Sequence, residues 1–214
     1  MGSRFLGLMA AAMALALTGC GGSSTPHSGA TTSHSGATTS HSAAPASGLP
    51  INVYVIKAGE EPGYAAQSPV DYKTTAALQT NQAGYSATQI NRLGSEGFRA
   101  AAVEQTGNGN GLSFVFELGS RATAKREVAA EVAEDQQNSP AGVRFKVTAI
   151  PGAVGLAYPN QSGGGGGGNV LFQEGRCMLL VGDLGTTSAY RKPAVAGATA
   201  IWKRTHAETG ACGA

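Results

Sequence analysis

The sequence predicts an α+β fold, a sandwich in which helices pack on a mostly antiparallel sheet. Short segments have the composition or the alternation of strands, and turns rich in Gly, Pro and Asn separate them. The predicted order is strand, helix, two strands, a long helix, three strands and a helix. Hairpin connections dominate this order, so most neighbouring strands should be antiparallel.

The first predicted strand covers residues 51–56, which are rich in β-branched side chains. Residues 59–69 read as a loop, because they contain several Gly and Pro residues. Residues 71–83 are predicted to hold a short helix with Asp71 as its N-cap.

A second short helix is predicted after Ser86. Ser86 and Gln89 have the spacing of a capping box. Ile90 and Leu93 would form its apolar face, and Gly97 suits the left-handed residue that ends a helix.

Two strands, residues 98–106 and 112–118, flank the Gly-Asn-rich residues 107–111. Asn108-Gly109 is a strong hairpin signal, because both turn positions need positive φ. The alternating glycines also suggest a phosphate-binding loop. Such a loop must open a helix, whereas a strand follows here, so the hairpin is preferred.

The long helix is predicted from Arg121 to about residue 137, with Ser120 as its cap. Its basic residues come early and its acidic residues come late, which opposes the helix dipole. Packing must therefore hold this helix. The late acidic patch could bind a cation, but a solvated face is the preferred interpretation.

The C-terminal half contains three further predicted strands, over residues 143–150, 169–172 and 176–181. Residues 177–181 are continuously apolar, which favours the central position in the sheet. Residues 153–161 are expected to be irregular, and the six glycines 163–168 are expected to form a flexible surface loop.

The last helix begins near Thr187 or, more favourably, with Pro193 in its first turn. One face carries Trp202, which should dock the helix on the sheet. The other members of that face are Ala194, Ala198, Ile201 and Thr205. In element order alone, the predicted fold is similar to PsbP-like and ferredoxin-like domains.

Residues 1–19 have the features of a secretory signal: one charge at Arg4, an apolar run and small residues at the end. The tetrapeptide Leu17-Thr18-Gly19-Cys20 resembles the lipobox of bacterial lipoproteins. That resemblance implies cleavage before Cys20, acylation of its thiol, and attachment to the extracytoplasmic face of the cell membrane. An ordinary secreted protein cut nearby is the alternative.

Residues 20–48 contain no large apolar side chain and are predicted to be a disordered tether. His27, His34 and His41 recur in a short repeat within it. Imidazoles bind zinc, copper or nickel, so metal scavenging is an alternative to a repeat without function. We expect no metal site.

Residues 49–214 are long enough for a single domain with its own core. The chain has 15 Lys+Arg and 13 Asp+Glu; removal of Arg4 with the signal leaves 14 against 13. This balance, without a basic stripe, argues against nucleic-acid binding. The body also resembles uncharacterised exported lipoproteins of high-GC Gram-positive bacteria, in its rhythm of strands, hairpins and helices.

Cys177 and Cys212 remain once Cys20 is assigned to lipid. Outside the cytoplasm an even pair suggests a disulfide, which would tie the chain end to a strand. Two unpaired thiols are the alternative.

No nucleophile elbow, phosphate loop or spaced carboxylate pair is present, and His206 is the one histidine of the predicted domain. We therefore expect a non-enzymatic binding or interaction domain without a cofactor. Its partner would be a small molecule, an envelope protein or cell-wall material. A cell-envelope hydrolase built around His206 is the alternative.

Overall fold

The computed structural model describes residues 49–61, 65, 68–81, 85–105, 111–158, 166–185, 191–208 and 211–213. Within these ranges the chain forms an antiparallel sheet of seven strands, with the spatial order β1-β2-β3-β7-β6-β5-β4. The strands are β1 (Val70–Tyr72), β2 (Ala100–Gln105), β3 (Gly111–Glu117), β4 (Val143–Lys146), β5 (Val154–Tyr158), β6 (Gly166–Glu174) and β7 (Cys177–Gly185). The predicted α+β class is confirmed.

Four α-helices of the described chain pack on this sheet. They are α1 (Thr75–Asn81), α2 (Ala87–Ser95), α3 (Arg121–Asn138) and α4 (Arg191–Glu208). Helices α1, α2 and α3 share a core with one face of the sheet. Helix α4 and a 3-10 turn, Ile51–Tyr54, cover the other face.

The two cores arise from the alternation of side chains along the central strands. On β3, Phe114 and Phe116 point to the face under α1–α3, whereas Val115 points to the face under α4. On β7, Met178 points to the face under α1–α3, and Leu179 points to the face under α4. Strand β7 lies between β3 and β6, so the prediction that it is the central strand is confirmed.

The predicted strand over residues 51–56 is wrong, because the chain forms the 3-10 turn there. Pro50 precedes the turn, and Arg204 of α4 donates hydrogen bonds to the carbonyl oxygens of Val53 and Val55. These carbonyl groups therefore need no neighbouring strand. Residues 51–56 are apolar because this segment is buried beneath α4, where Val55 and Ile56 are almost fully buried.

The predicted helix over residues 71–83 is shorter than expected, because Asp71 belongs to the edge strand β1. Thr74 caps α1 instead, and its hydroxyl oxygen accepts a hydrogen bond from the backbone N–H of Ala77 at 3.1 Å. A three-residue strand is too short to show an alternation, which explains why the sequence did not predict β1.

The region between residues 153 and 168 is also more regular than predicted. Strand β5 occupies part of the segment expected to be irregular, and the last three glycines of the run are buried in β6. Gly155 of β5 lies against the ring of Phe145, where a Cβ atom would overlap the ring. Glycine permits this close approach of strand and aromatic side chain.

The N-caps of α2 and α3 are where the sequence predicts them. Ser86 caps α2 with Gln89 as its capping-box partner, and Gly97 follows α2 with φ 75°. Ser120 caps α3 with Thr123. Strands β2 and β3 pair as predicted, while the Asn108-Gly109 turn between them lies outside the described residues.

The predicted signal and tether also lie outside the described residues. In the part of the chain that the structure covers, no helix combines the length and the apolar character needed to cross a membrane.

Candidate functional site

The two ends of the sheet differ in construction. At one end, termed the closed end, β2 and β7 begin while β3 and β6 end, around Glu117, Glu174 and Cys177. At the other end, termed the open end, β2, β5 and β7 finish while β3 and β6 start. Gly111, Asp183 and Gly168 are aligned across three strands there.

A disulfide holds the closed end together. Cys177 and Cys212 are bonded, with their Cα atoms 5.7 Å apart. The backbone N–H of Arg176 donates to the carbonyl oxygen of Cys212 at 3.0 Å. A Cβ atom at Gly175, which has φ 56°, would overlap the same oxygen. The C-terminal segment is therefore fitted tightly against the β6–β7 turn, and this end has a structural role.

On the α4 side of the open end, two carboxyl groups share a hydrogen bond. Asp183 lies on β7, and Glu61 follows the 3-10 turn with 3 % of its surface exposed. Burial, then the hydrogen bond and the charge of Asp183, raise the pKa of Glu61 to about 8. Burial also raises the pKa of Asp183, while the hydrogen bond from Glu61 opposes that rise.

Because the pKa of Glu61 is raised to about 8, we expect the pair to hold one proton at neutral pH, with Glu61 as the donor and Asp183 as the acceptor. Helix α4 makes room for the pair through Gly197, where a Cβ atom would stand 3.3 Å from Oε2 of Glu61 and closer still to Ile56. Any side chain at residue 197 would therefore press on the pair.

On the α3 side of the open end, Asp135 joins two strands. Its Oδ2 atom accepts hydrogen bonds from the hydroxyl of Tyr158 at 2.8 Å and from Nδ2 of Asn169 at 3.1 Å. Burial raises the pKa of Asp135, and both hydrogen bonds oppose that rise. Gly182 faces Asn169 across the strand pair, and a Cβ atom there would stand 2.7 Å from the Asn169 side-chain oxygen.

The two polar clusters lie close together through the thickness of the sheet. Asn169 pairs with Gly182, and Asp183 is the next residue of β7 and points to the opposite face. The open end therefore presents hydrogen-bond acceptors on both faces, separated by glycine-rich strand ends. Such a site can hold hydroxyl or ammonium donors.

The expectation that the acidic half of α3 is a solvated face is wrong. The side chain of Glu127 is fully buried, and Arg92 of α2 binds both of its carboxylate oxygens, at 2.8 and 3.0 Å. Arg92 also contacts Glu131 at 2.5 Å and Glu134 at 3.1 Å. Burial, followed by the charge of Glu127, raises the pKa of Glu131 to about 8.

The residues of these clusters were missed because they are far apart in the chain. Tyr158 and Asn169 reach Asp135 across 23 and 34 residues, and Arg92 reaches Glu127 across 35. The one usable signal was the reversed charge order of α3, which already required a partner from another element.

His206 is exposed, and its ring stacks on Trp202 with centroids 4.3 Å apart. Trp202 contacts Phe172 of β6 edge-on, so it docks α4 as predicted. In the described chain no serine hydroxyl and no carboxylate is hydrogen-bonded to His206. The Glu174 carboxylate lies close enough to His206 for their charges to interact.

The described residues contain no group of three or more His, Cys, Asp or Glu side chains arranged to hold a metal ion. Cys20 and the histidines of the tether, His27, His34 and His41, lie outside those residues.

Comparison with known proteins identifies a fold and no family. No protein-family model matches the sequence, and no curated protein matches it. The chain is similar in structure to the extracellular domain of PknH from Mycobacterium tuberculosis, with 11 % identity and a TM-score of 0.50. The match covers 74 % of this chain and 95 % of that one. At this identity the likeness shows a shared fold.

Proposed function

We propose that this protein is a non-enzymatic binding domain on the extracytoplasmic face of the cell membrane, held there by acylated Cys20. The lipobox and the polar tether support the anchoring. The fold shared with an extracellular domain of PknH supports the location.

One observation carries the binding role, namely the contrast between the two ends of the sheet. The closed end is joined by a disulfide and close backbone contacts, whereas the open end carries the hydrogen-bonded carboxyl groups of Asp135 and Asp183 on the two faces of the sheet. A rigid scaffold that presents polar groups at one end is the usual arrangement of a binding domain. Asp135 and Asp183 supply acceptors, so the favoured ligand is a small molecule rich in hydroxyl or ammonium groups.

Chemical-shift mapping of the mature chain tests this proposal. Glucosamine, N-acetylglucosamine, myo-inositol and spermidine serve as probes. We expect the shifts caused by at least one probe to cluster at Tyr158, Asn169 and Asp183.

Asp135→Asn or Asp183→Asn should weaken that binding at least about tenfold, since each removes a charged acceptor. The control is Lys73→Ala, an exposed change near the closed end, which should leave binding unchanged. Shifts that cluster at the closed end, or no response to any probe, would contradict the proposal.

A further inference from the structure

The outer face of α4 is basic and free of bulky side chains. Arg191, Lys192 and Lys203 are exposed along it, and they border a shallow groove of about 510 Å³. Between the charges lie small residues, apolar except for Thr199, which the helical repeat places on the same side as the charges. The seven residues of this surface, termed the basic face, are Arg191, Lys192, Val195, Ala196, Thr199, Ala200 and Lys203.

The charges of the basic face are not neutralised by the protein. Among the described residues, no carboxylate lies within ion-pair distance of Arg191, Lys192 or Lys203. The Arg191 guanidinium lies 5.2 Å from the centre of the Phe145 ring, a contact that leaves its charge in place. By contrast, Arg204 of the same helix is bound to Glu60 at 2.6 Å.

The mature chain is nearly neutral, with 14 basic and 13 acidic residues once Arg4 is removed. Three uncompensated cations on one helix face are therefore a local feature. On the opposite face of the sheet, Arg92 binds acidic residues of α3, and Arg126 binds Glu96, the residue that follows α2.

We propose that the basic face rests on the anionic lipid surface in which Cys20 is anchored. Each Lys or Arg near such a surface raises the partition coefficient onto the lipid roughly fivefold, so three raise it roughly 100-fold. The small side chains let the helix approach headgroups closely, and the lysine stems lie flat while their ammonium groups reach the phosphates.

The predicted tether makes such a weak contact effective. Residues 20–48 are 29 residues of mostly small and polar type, with an expected end-to-end distance of about 30 Å. The domain is then held close to the bilayer, at a high effective concentration of lipid. This argument rests on the proposed anchoring, so the test uses a chain that carries no lipid.

The experiment is sedimentation of the mature chain with Cys20→Ser, mixed with lipid vesicles. Phosphatidylcholine vesicles containing about 30 % phosphatidylglycerol should bind the chain, and pure phosphatidylcholine vesicles should not. Binding should weaken strongly between about 0.1 M and about 0.5 M salt, because salt screens surface charge.

Two matched double variants locate the contact. Lys192→Glu with Lys203→Glu should lower the partition coefficient at least about tenfold. Arg121→Glu with Lys125→Glu makes the same change in net charge, but at the exposed start of α3 on the other face of the sheet. The partition coefficient of this variant should stay within about twofold of the wild-type value. All four positions are exposed, so both variants should fold, which circular dichroism checks.

Equal losses in the two double variants would overturn the proposal, since attraction would then follow net charge alone. Equal binding to pure phosphatidylcholine, or none to either vesicle, would also overturn it. Stronger binding to soluble polyglutamate than to anionic vesicles would assign the basic face to an acidic polymer instead of lipid. None of these outcomes depends on acylation of Cys20, which is tested separately.

Discussion

Glu61 and Asp183 show how a single buried pair can acquire chemistry that neither residue has alone. An isolated carboxyl group ionises well below neutral pH. Between β7 and α4, burial and the neighbouring charge make Glu61 keep its proton, and the proton joins the two side chains. The pair therefore acts as one acid that can change charge near neutral pH.

The first prediction concerns the pH dependence of stability. Glu61 binds its proton more tightly in the folded chain than in the unfolded chain, so the free energy of unfolding should fall as pH rises from about 5 to about 8. Thermal unfolding should show this as a fall in Tm on the order of 5 °C. Glu61→Gln retains a donor to Asp183 but does not titrate, so the slope of Tm against pH should be reduced by about half in this variant.

The slope does not vanish in Glu61→Gln because Glu131 also has a raised pKa of about 8 and continues to titrate. Asp71→Asn, a change at an exposed carboxylate of β1, is the control and should leave the slope as in the wild type. If Glu61→Gln follows the wild-type curve throughout, the proton is not held in the folded state.

Among the secondary-structure elements, α3 carries its charges against its own dipole and is stabilised by other elements. Its apolar stripe packs on the sheet, with Val128 and Val132 buried. Its acidic half is held by Arg92 of α2, which binds Glu127 and Glu131. The charge order that weakens α3 as an isolated helix therefore links α2 to α3 in the folded protein.

The second prediction follows from this link. Arg92→Met removes the cation from buried Glu127 and Glu131, and should lower the free energy of unfolding by about 3 kcal/mol. The loss should be smaller at pH 6 than at pH 9, because Glu131, whose pKa is raised to about 8, carries a proton at the lower pH. Urea unfolding at the two pH values measures both effects.

Arg126→Met is the matched control. The Arg126 side chain is 62 % exposed in its pair with Glu96 at 3.2 Å, so its removal should change stability by less than about 1 kcal/mol. Equal effects of the two substitutions would show that burial of the Arg92 network contributes nothing.

The whole molecule has one closed end, one open end and two unlike faces. The disulfide and the C-terminal segment close one end. If α4 lies on the bilayer, the face that carries α2 and α3 points away from the membrane. The open end then faces sideways, along the membrane surface.

The third prediction concerns the attachment of the whole chain. The protein expressed in a bacterium should begin at Cys20 and incorporate labelled palmitate, as intact mass and fluorography would show. Cys20→Ala should abolish incorporation and cleavage before residue 20, because the thiol that receives the lipid is gone. Ser23→Ala, just beyond the lipobox, should behave as the wild type. A wild-type chain without label, or with another N-terminus, would contradict the lipoprotein assignment.

Local signals predicted the local elements of this fold. The capping boxes at Ser86 and Ser120 and the continuous apolar run of β7 were sufficient, because each depends on residues close in sequence. Residues 51–56 and strand β5 were misjudged. An apolar composition predicts that a segment is buried. It does not predict whether the backbone of that segment forms hydrogen bonds with a neighbouring strand or with a side chain such as Arg204.

By itself the sequence determined the fold class, the central strand and most helix ends, and it supplied the motif that predicts the membrane address. These properties depend on short-range spacing and on the alternation of apolar residues. Only the tertiary structure decided the polar sites. Carboxyl groups such as Glu61 and Asp183, or Asp135 beside Tyr158, are brought together from distant segments by strand order. Their raised pKa values arise from burial, which exists only once the sheet and its helices have packed.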